Sequence, residues 1–179
     1  MVCEHTFDWE NPKHVRALLN QYCVLFDALK EKIDTYGRTL LWDFDFYVSL
    51  CNFSELRLFF IEMRKHGMAY DDILDEMRAR YGTEYSPNYL VSIISTEIPK
   101  KIAQAAKMRR LEIETPLENR KKCIHCGKLL PADTLFFSRN NAHKDKLSNT
   151  CKECDKVNRI KRGVINSDGD LRKKDPTLH

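Results

Sequence analysis

The sequence predicts a mainly α-helical protein, an N-terminal helical bundle followed by a small C-terminal module of β-hairpin and helix. Three observations predict it. Apolar residues recur at spacings of three and four over most of residues 13–98, the period of amphipathic helices. Helix starts containing Asn, Ser or Pro, and glycine stops, punctuate that stretch at helix-length intervals. Two Cys-x-x-Cys pairs, Cys123/Cys126 and Cys151/Cys154, stand 24 residues apart near the C-terminal end.

The elements follow in order. Met1 to Pro12 reads as a loose arm with Phe7 and Trp9 as anchors. Asn11 before Pro12 has the form of an N-cap followed by proline at the first helical position. Val15, Leu18, Leu19, Tyr22, Cys23, Phe26 and Leu29 form the stripe of a first helix expected to end near Tyr36 and Gly37. Leu40 to Leu50 is rich in aromatics, which suits a strand. No Gly or Pro interrupts it and helices flank it, so a buried helix is the expectation. Asn52 or Ser54 can cap the next helix, which carries Leu56, Phe59, Phe60 and Met63 and stops at His66-Gly67. Tyr70 to Arg80 places Ile73, Leu74, Met77 and Tyr81 on one face, and Gly82 ends it. Ser86 and Pro87 start another helix in the N-cap and first-turn arrangement. That helix buries Leu90, Ile93 and Ile94, and Pro99 is expected to break or kink it. Beyond Pro99, Lys107, Arg109 and Arg110 continue a basic run over a weak apolar stripe. The domains read as 1–111 helical, 112–121 linker, 122–163 cysteine module and 164–179 a disordered basic tail.

Helix, short turn and helix over about residues 68–98 is the form of a helix-turn-helix. Gly67 to Lys101 resembles the helix-turn-helix of sigma-factor region 4 and related regulators, where an acidic helix precedes a Ser-capped recognition helix. The outward face of the second helix would carry Asn88, Ser92, Ser95 and Thr96, with Lys100 and Lys101 beyond. Such side chains hydrogen-bond base edges or phosphates. No Arg or Lys lies on that face before Lys100, although Arg to guanine is the commonest specific contact. A surface helix of an ordinary bundle is the competing reading.

The cysteine pairs have the spacing of one four-thiolate zinc site: Cys123, Cys126, Cys151 and Cys154. Four thiolates complete the coordination shell of Zn²⁺ and leave no position for water, so the site reads as structural. Gly127 can take the positive φ that such a knuckle often needs. Two disulfides, or four free thiols, is the alternative; no βαβ pattern supports a redox motif. Between the pairs a short β-hairpin is expected, with Phe136 or Phe137 beside the metal. Thr150 is a candidate N-cap for a final helix that carries Cys151 and Cys154 and ends at Gly163. Knuckle, hairpin and helix is the order of a treble clef. Lys122 to Gly163 resembles treble-clef zinc fingers, and within them the four-cysteine fingers of phage and prophage proteins. In those fingers a Lys-Asp-Gly turn recurs; here its third residue is Lys146.

The 179-residue chain has a net charge of +4. Residues 1–119 carry 15 Lys and Arg against 19 Asp and Glu, a balance of −4, and residues 120–179 carry 15 against 7, a balance of +8. A basic module of this size points to a polyanion, nucleic acid first. A solvated, soluble surface is the bland alternative. No run of apolar residues reaches membrane-spanning length and Met1 to Thr6 lacks the features of a secretory signal, so no membrane partner is expected. Cys3, Cys23 and Cys51 stand alone, which suits a reducing cytoplasm. The resemblance to phage proteins implies that of a bacterial host.

Double-stranded DNA binding in a regulatory or accessory role is therefore the expected function, with one structural zinc. The alternative is a protein-interaction or virion-associated adaptor within a protein complex. A third reading, an HNH-type nuclease, needs a His beside an Asp or His on the hairpin and a further ligand on the helix. His143 is flanked by Ala142 and Lys144, Asn158 is the single helix match, and His125 reads as an exposed knuckle residue. No catalytic residue is expected.

Overall fold

The computed structural model describes residues 7–31, 34–82 and 84–163. The chain divides into two compact units, Met1–Lys107 and Met108–His179. The tail expected to be disordered, 164–179, lies outside the described residues.

The first unit is helical. α1 spans Pro12–Glu31. Asn11 caps it: its Oδ1 accepts from the Lys13 N–H at 3.0 Å and its carbonyl from Val15 at 3.2 Å. Phe7 and Trp9 pack against the core ahead of α1, the Trp9 ring tilted against Tyr47 with centroids 5.0 Å apart. Val15, Leu18, Leu19, Tyr22 and Leu29 are buried as the spacing predicts, whereas Phe26 is half exposed.

The next boundary differs from the sequence reading. α1 ends at Glu31 and α2 spans Thr35–Leu50. Asp34 sits in extended backbone and caps α2 by accepting the Tyr36 N–H at 3.0 Å. Gly37 therefore lies inside a helix. A Cβ there would stand 2.8 Å from Asp34 Oδ2 and 3.0 Å from Leu29 Cδ2. This glycine marks close approach of α1 and α2, not a helix stop. The expected helix over 40–50 is present but is not buried all round: Leu41 and Phe44 face the core, while Trp42 is 73% exposed.

α3 spans Glu55–Lys65 and α4 Tyr70–Tyr81. Gly82 ends α4 in the left-handed conformation, φ +61°. Ile61 joins Phe59 and Phe60 in the core, a position the i, i+3, i+4 count does not single out. Replacing the fully buried Phe60 with Ala is expected to cost about 3–5 kcal/mol in urea unfolding, through lost burial and the cavity left behind.

α5 spans Pro87–Ser92, with Ser86 Oγ accepting the Tyr89 N–H at 3.2 Å. Pro99 does not end the helical path as expected. A π-helical turn occupies Ile93–Glu97 and α6 continues over Ile98–Glu114. Proline has no N–H to offer residue i−4 and its ring crowds that carbonyl. The wider turn, with Ile98 N–H bonded to the Ile93 carbonyl, leads the chain into Pro99 without a break.

In the second unit, the stretch expected as a linker, 112–121, is occupied by the end of α6, a 3₁₀ turn over Leu117–Asn119 and the first residues of β1. The Arg120 guanidinium clasps this corner, bonding the Glu112 and Thr115 carbonyls. Two antiparallel hairpins follow, not one. β1 (Arg120–Lys122) pairs with β2 (Leu129–Pro131), and β3 (Phe137–Arg139) with β4 (Leu147–Cys151). α7 spans Lys152–Lys161, and Gly163 takes φ +70° after it. Cys151, not Thr150, occupies the N-cap position, because β4 runs through Thr150 to the ligand itself. A small core of Phe136, Phe137, Leu147, Cys123 and Cys151 fills the unit, with Met108 and Leu111 of α6 packed on it. Among the described residues no helix is long and apolar enough to cross a membrane.

Candidate metal centre and cationic surface

The β1–β2 hairpin places the first cysteine pair. The Cys123 N–H bonds the Lys128 carbonyl at 2.9 Å and the Gly127 N–H bonds the Cys123 carbonyl at 3.0 Å, closing a tight knuckle. Gly127 has φ +71°, in the left-handed region where a side chain is strained. The end of β4 and the first turn of α7 place Cys151 and Cys154, and the Lys152 N–H bonds the Phe136 carbonyl at 2.8 Å. The two halves are joined by the Ile124 N–H on the Asn149 carbonyl at 3.0 Å.

The four sulfurs of Cys123, Cys126, Cys151 and Cys154 all lie within 4.8 Å of one another, and Cys126 Sγ is 4.0 Å from Cys151 Sγ. Tetrahedral zinc–thiolate bonds of about 2.3 Å require sulfurs about 3.8 Å apart. The cluster is thus sized for one metal ion. The disulfide alternative does not fit, since a disulfide holds its sulfurs at about 2.05 Å and the described cysteines are free.

The electrostatics prepare the site unevenly. Burial opposes ionisation of Cys123, but the N–H groups of Cys126, Cys151 and His125 converge on its sulfur and lower its pKa to about 6. One of these is the Cys151 N–H, 3.3 Å from Cys123 Sγ. Cys154 is pushed up to about 12 by its hydrogen bond with Cys151 and by burial. Backbone N–H groups aimed at the Cys123 sulfur favour its thiolate, the form that ligates a soft divalent cation.

Around the cluster the surface is cationic. Lys152, Lys156, Arg159, Lys161 and Arg162 of α7 and its C-cap are all exposed. None makes an ion pair among the described residues. Lys121 is the exception in the sheet region, bonded to Asp145 at 2.7 Å and to the Leu147 carbonyl at 2.9 Å. Neither the tie nor the Asn149 contact is legible in sequence, because each joins residues more than twenty positions apart. Lys146 has φ +56°, the left-handed conformation that a glycine takes more readily. His143 lies in the β3–β4 turn and shares a shallow pocket with Lys121, Lys144, Asp145 and Asn149. Asn158 is not among the residues lining it, and His125 is exposed.

In the first unit, Asn88, Ser92, Thr96 and Lys100 are exposed, as the sequence reading requires. Ser95 is not free on that face: its hydroxyl is 3.0 Å from the Tyr70 hydroxyl. Lys101 is exposed as well, but its ammonium stands 4.0 Å from Glu97 and 5.6 Å above the Phe53 ring. Arg109 and Arg110 pair with Glu112 and Glu114. The basic run after Pro99 is therefore partly neutralised within the chain.

Comparison of the chain with protein-family models, curated proteins and solved structures returned no match.

Proposed function

We propose that this protein binds nucleic acid, double-stranded DNA first, and that Cys123, Cys126, Cys151 and Cys154 hold one structural zinc ion that folds the binding module. The observation that carries the reading is the unpaired basic helix. Lys152, Lys156 and Arg159 stand at i, i+4 and i+7 on α7, exposed and without ion-pair partners among the described residues. Cations left uncompensated on one helix face are what phosphate contacts need. In the first unit, the Ser-capped α5 and the exposed Asn88, Ser92 and Thr96 support a base-reading role of the kind that the likeness of Gly67 to Lys101 to sigma region 4 implies. The test is a fluorescence-anisotropy titration of a short duplex with the zinc-loaded chain. Binding that weakens steeply with salt is expected; no binding at low salt would sink the reading.

The adaptor reading has one observation of its own. Trp42 is 73% exposed and, with Phe26 at 50%, lines an open depression on α1 and α2 that suits a protein partner. It would act beside nucleic-acid binding or in place of it.

We further propose that the protein is not a nuclease. The four cysteines fill a metal's coordination shell, and Asp145, the carboxylate near His143, is held by Lys121. Plasmid incubated with the protein and Mg²⁺ or Mn²⁺ is expected to stay supercoiled. Nicking that disappears in His143→Ala would contradict this.

A further inference from the structure

Resting on the nucleic-acid reading, we propose that the first unit carries a phosphate-contact site of its own. It is the groove between the start of α1 and the turn into α6, where Lys13, Arg16 and Lys100 engage the sugar–phosphate backbone of a duplex.

The first ground is how this unit spends its cations. Its charge is negative overall, and about half of its described basic side chains are neutralised by local ion pairs. Lys30 pairs with Asp27 at 2.8 Å, Arg57 with Glu97 at 2.7 Å, Lys65 with Asp45 at 3.0 Å, Arg78 with Asp75 at 3.4 Å and Arg80 with Glu76 at 2.5 Å. Lys13, Arg16 and Lys100 are exposed and make no ion pair among the described residues. Arg38 and Arg64 also make no ion pair among the described residues but bond the Leu29 and Met68 carbonyls, and Lys107 is a further exposed cation that does not line the groove. Lys13, Arg16 and Lys100 together line one open groove of about 300 Å³, with Asn11, Pro12, Ser95 and Thr96.

The second ground is that the groove is built. Lys13 and Arg16 are i and i+3 at the N-terminal end of the 20-residue α1, where the helix dipole adds partial positive charge. Asn11 fixes that end through its cap bond. On the opposite wall the π-helical turn carries Ser95 and Thr96, and the Ser95 bond to Tyr70 holds it in place. Glu97, the acidic residue closest in sequence to that wall, is occupied by Arg57. Asp8 and Glu10 do not line the groove.

The lining also selects the partner. The residues of this groove are three cations, two hydroxyl residues, an amide and one proline, with no aromatic or large aliphatic side chain among them. An acidic peptide would need apolar or aromatic anchors to bind well. A sugar–phosphate backbone needs only cations and polar donors spread along an open track. Lys13 and Arg16 lie far from Lys100 in sequence, so their partnership becomes visible only when α1 packs against the π-helical turn.

The experiment is the salt dependence of duplex binding by the full, zinc-loaded chain, followed by anisotropy of a short fluorescent duplex. The triple variant Lys13→Gln, Arg16→Gln, Lys100→Gln is expected to flatten the log–log salt slope by about two to three units. Each single substitution is expected to take about 0.9 unit, which keeps the test open should the triple variant lose its fold. A control, Lys30→Gln with Arg78→Gln and Arg80→Gln, removes the same charge from ion-paired positions and is expected to leave the slope unchanged. If the groove variants keep the parental slope, the groove is overturned while the nucleic-acid reading stands. If both triples flatten the slope equally, net charge explains the effect and the groove is likewise overturned. A parent chain that does not bind the duplex at all overturns both.

Discussion

Replacing Cys126 with Ser is expected to release the metal and unfold the C-terminal unit. Its buried core is small, five residues of which Cys123 and Cys151 are themselves two. So few apolar contacts cannot offset the conformational entropy of ordering two hairpins and a helix. On the zinc reading the metal bonds supply the difference, and structural zinc contributes on the order of 10 kcal/mol in comparable small folds. Elemental analysis of the parent should find one zinc per chain and of Cys126→Ser almost none, with loss of the unit's protection from proteolysis. Cys51→Ser is the control. Cys51 donates to the Tyr47 carbonyl at 3.2 Å and burial pushes its thiol up to about 12, so it behaves as a small, inert core group. That substitution should leave the zinc in place. A folded parent protein without metal would sink the account of this unit.

Neutralising Lys152, Lys156 and Arg159 together is expected to flatten the salt dependence of DNA binding by about two to three units on a log–log plot. Each is an exposed, unpaired cation, so each phosphate contact it makes releases a counterion and none is offset by breaking an ion pair. Substituting Asn88 and Ser92 should act differently. These residues carry no charge, so the slope should hardly change, while preference among sequences should fall by about 1–3 kcal/mol per lost base contact. Measuring both variants on matched and mismatched duplexes separates the two roles. If the triple charge variant binds with parental affinity and slope, the electrostatic role of α7 is wrong and the adaptor reading becomes the better one.

The cysteine site was legible in the sequence because its information is local. Each Cys-x-x-Cys turn fixes its own two sulfurs, and Gly127 announces the left-handed residue that closes the knuckle. The capped starts at Asn11 and Ser86 and the stop at Gly82 were legible for the same reason. The α1–α2 boundary was not, because Gly37 looks like a helix stop until Leu29 packs against it. Pro99 looks like a break, but a π-helical turn absorbs it, and nothing in the spacing of Ile93, Ile94 and Ile98 signals that. Trp42 and Phe46 read as core by composition, yet α2 turns them outward. The β1–β2 hairpin is not legible because Arg120 to Lys122 contains only cations, and its pairing with Leu129 to Pro131 is set by the knuckle between them. Ser95 reads as an outward hydroxyl until Tyr70, 25 positions earlier, takes it.

The most direct test of the central claim, that a metal-organised basic module binds nucleic acid, is duplex affinity as a function of salt before and after chelation. The zinc-loaded chain is expected to bind with a steep negative slope. After chelation the C-terminal contacts should be lost, affinity should fall by more than tenfold and the slope should flatten, leaving the part contributed by Lys13, Arg16 and Lys100. Restoring zinc should restore both. An affinity and slope unchanged by removal of the metal would contradict the claim.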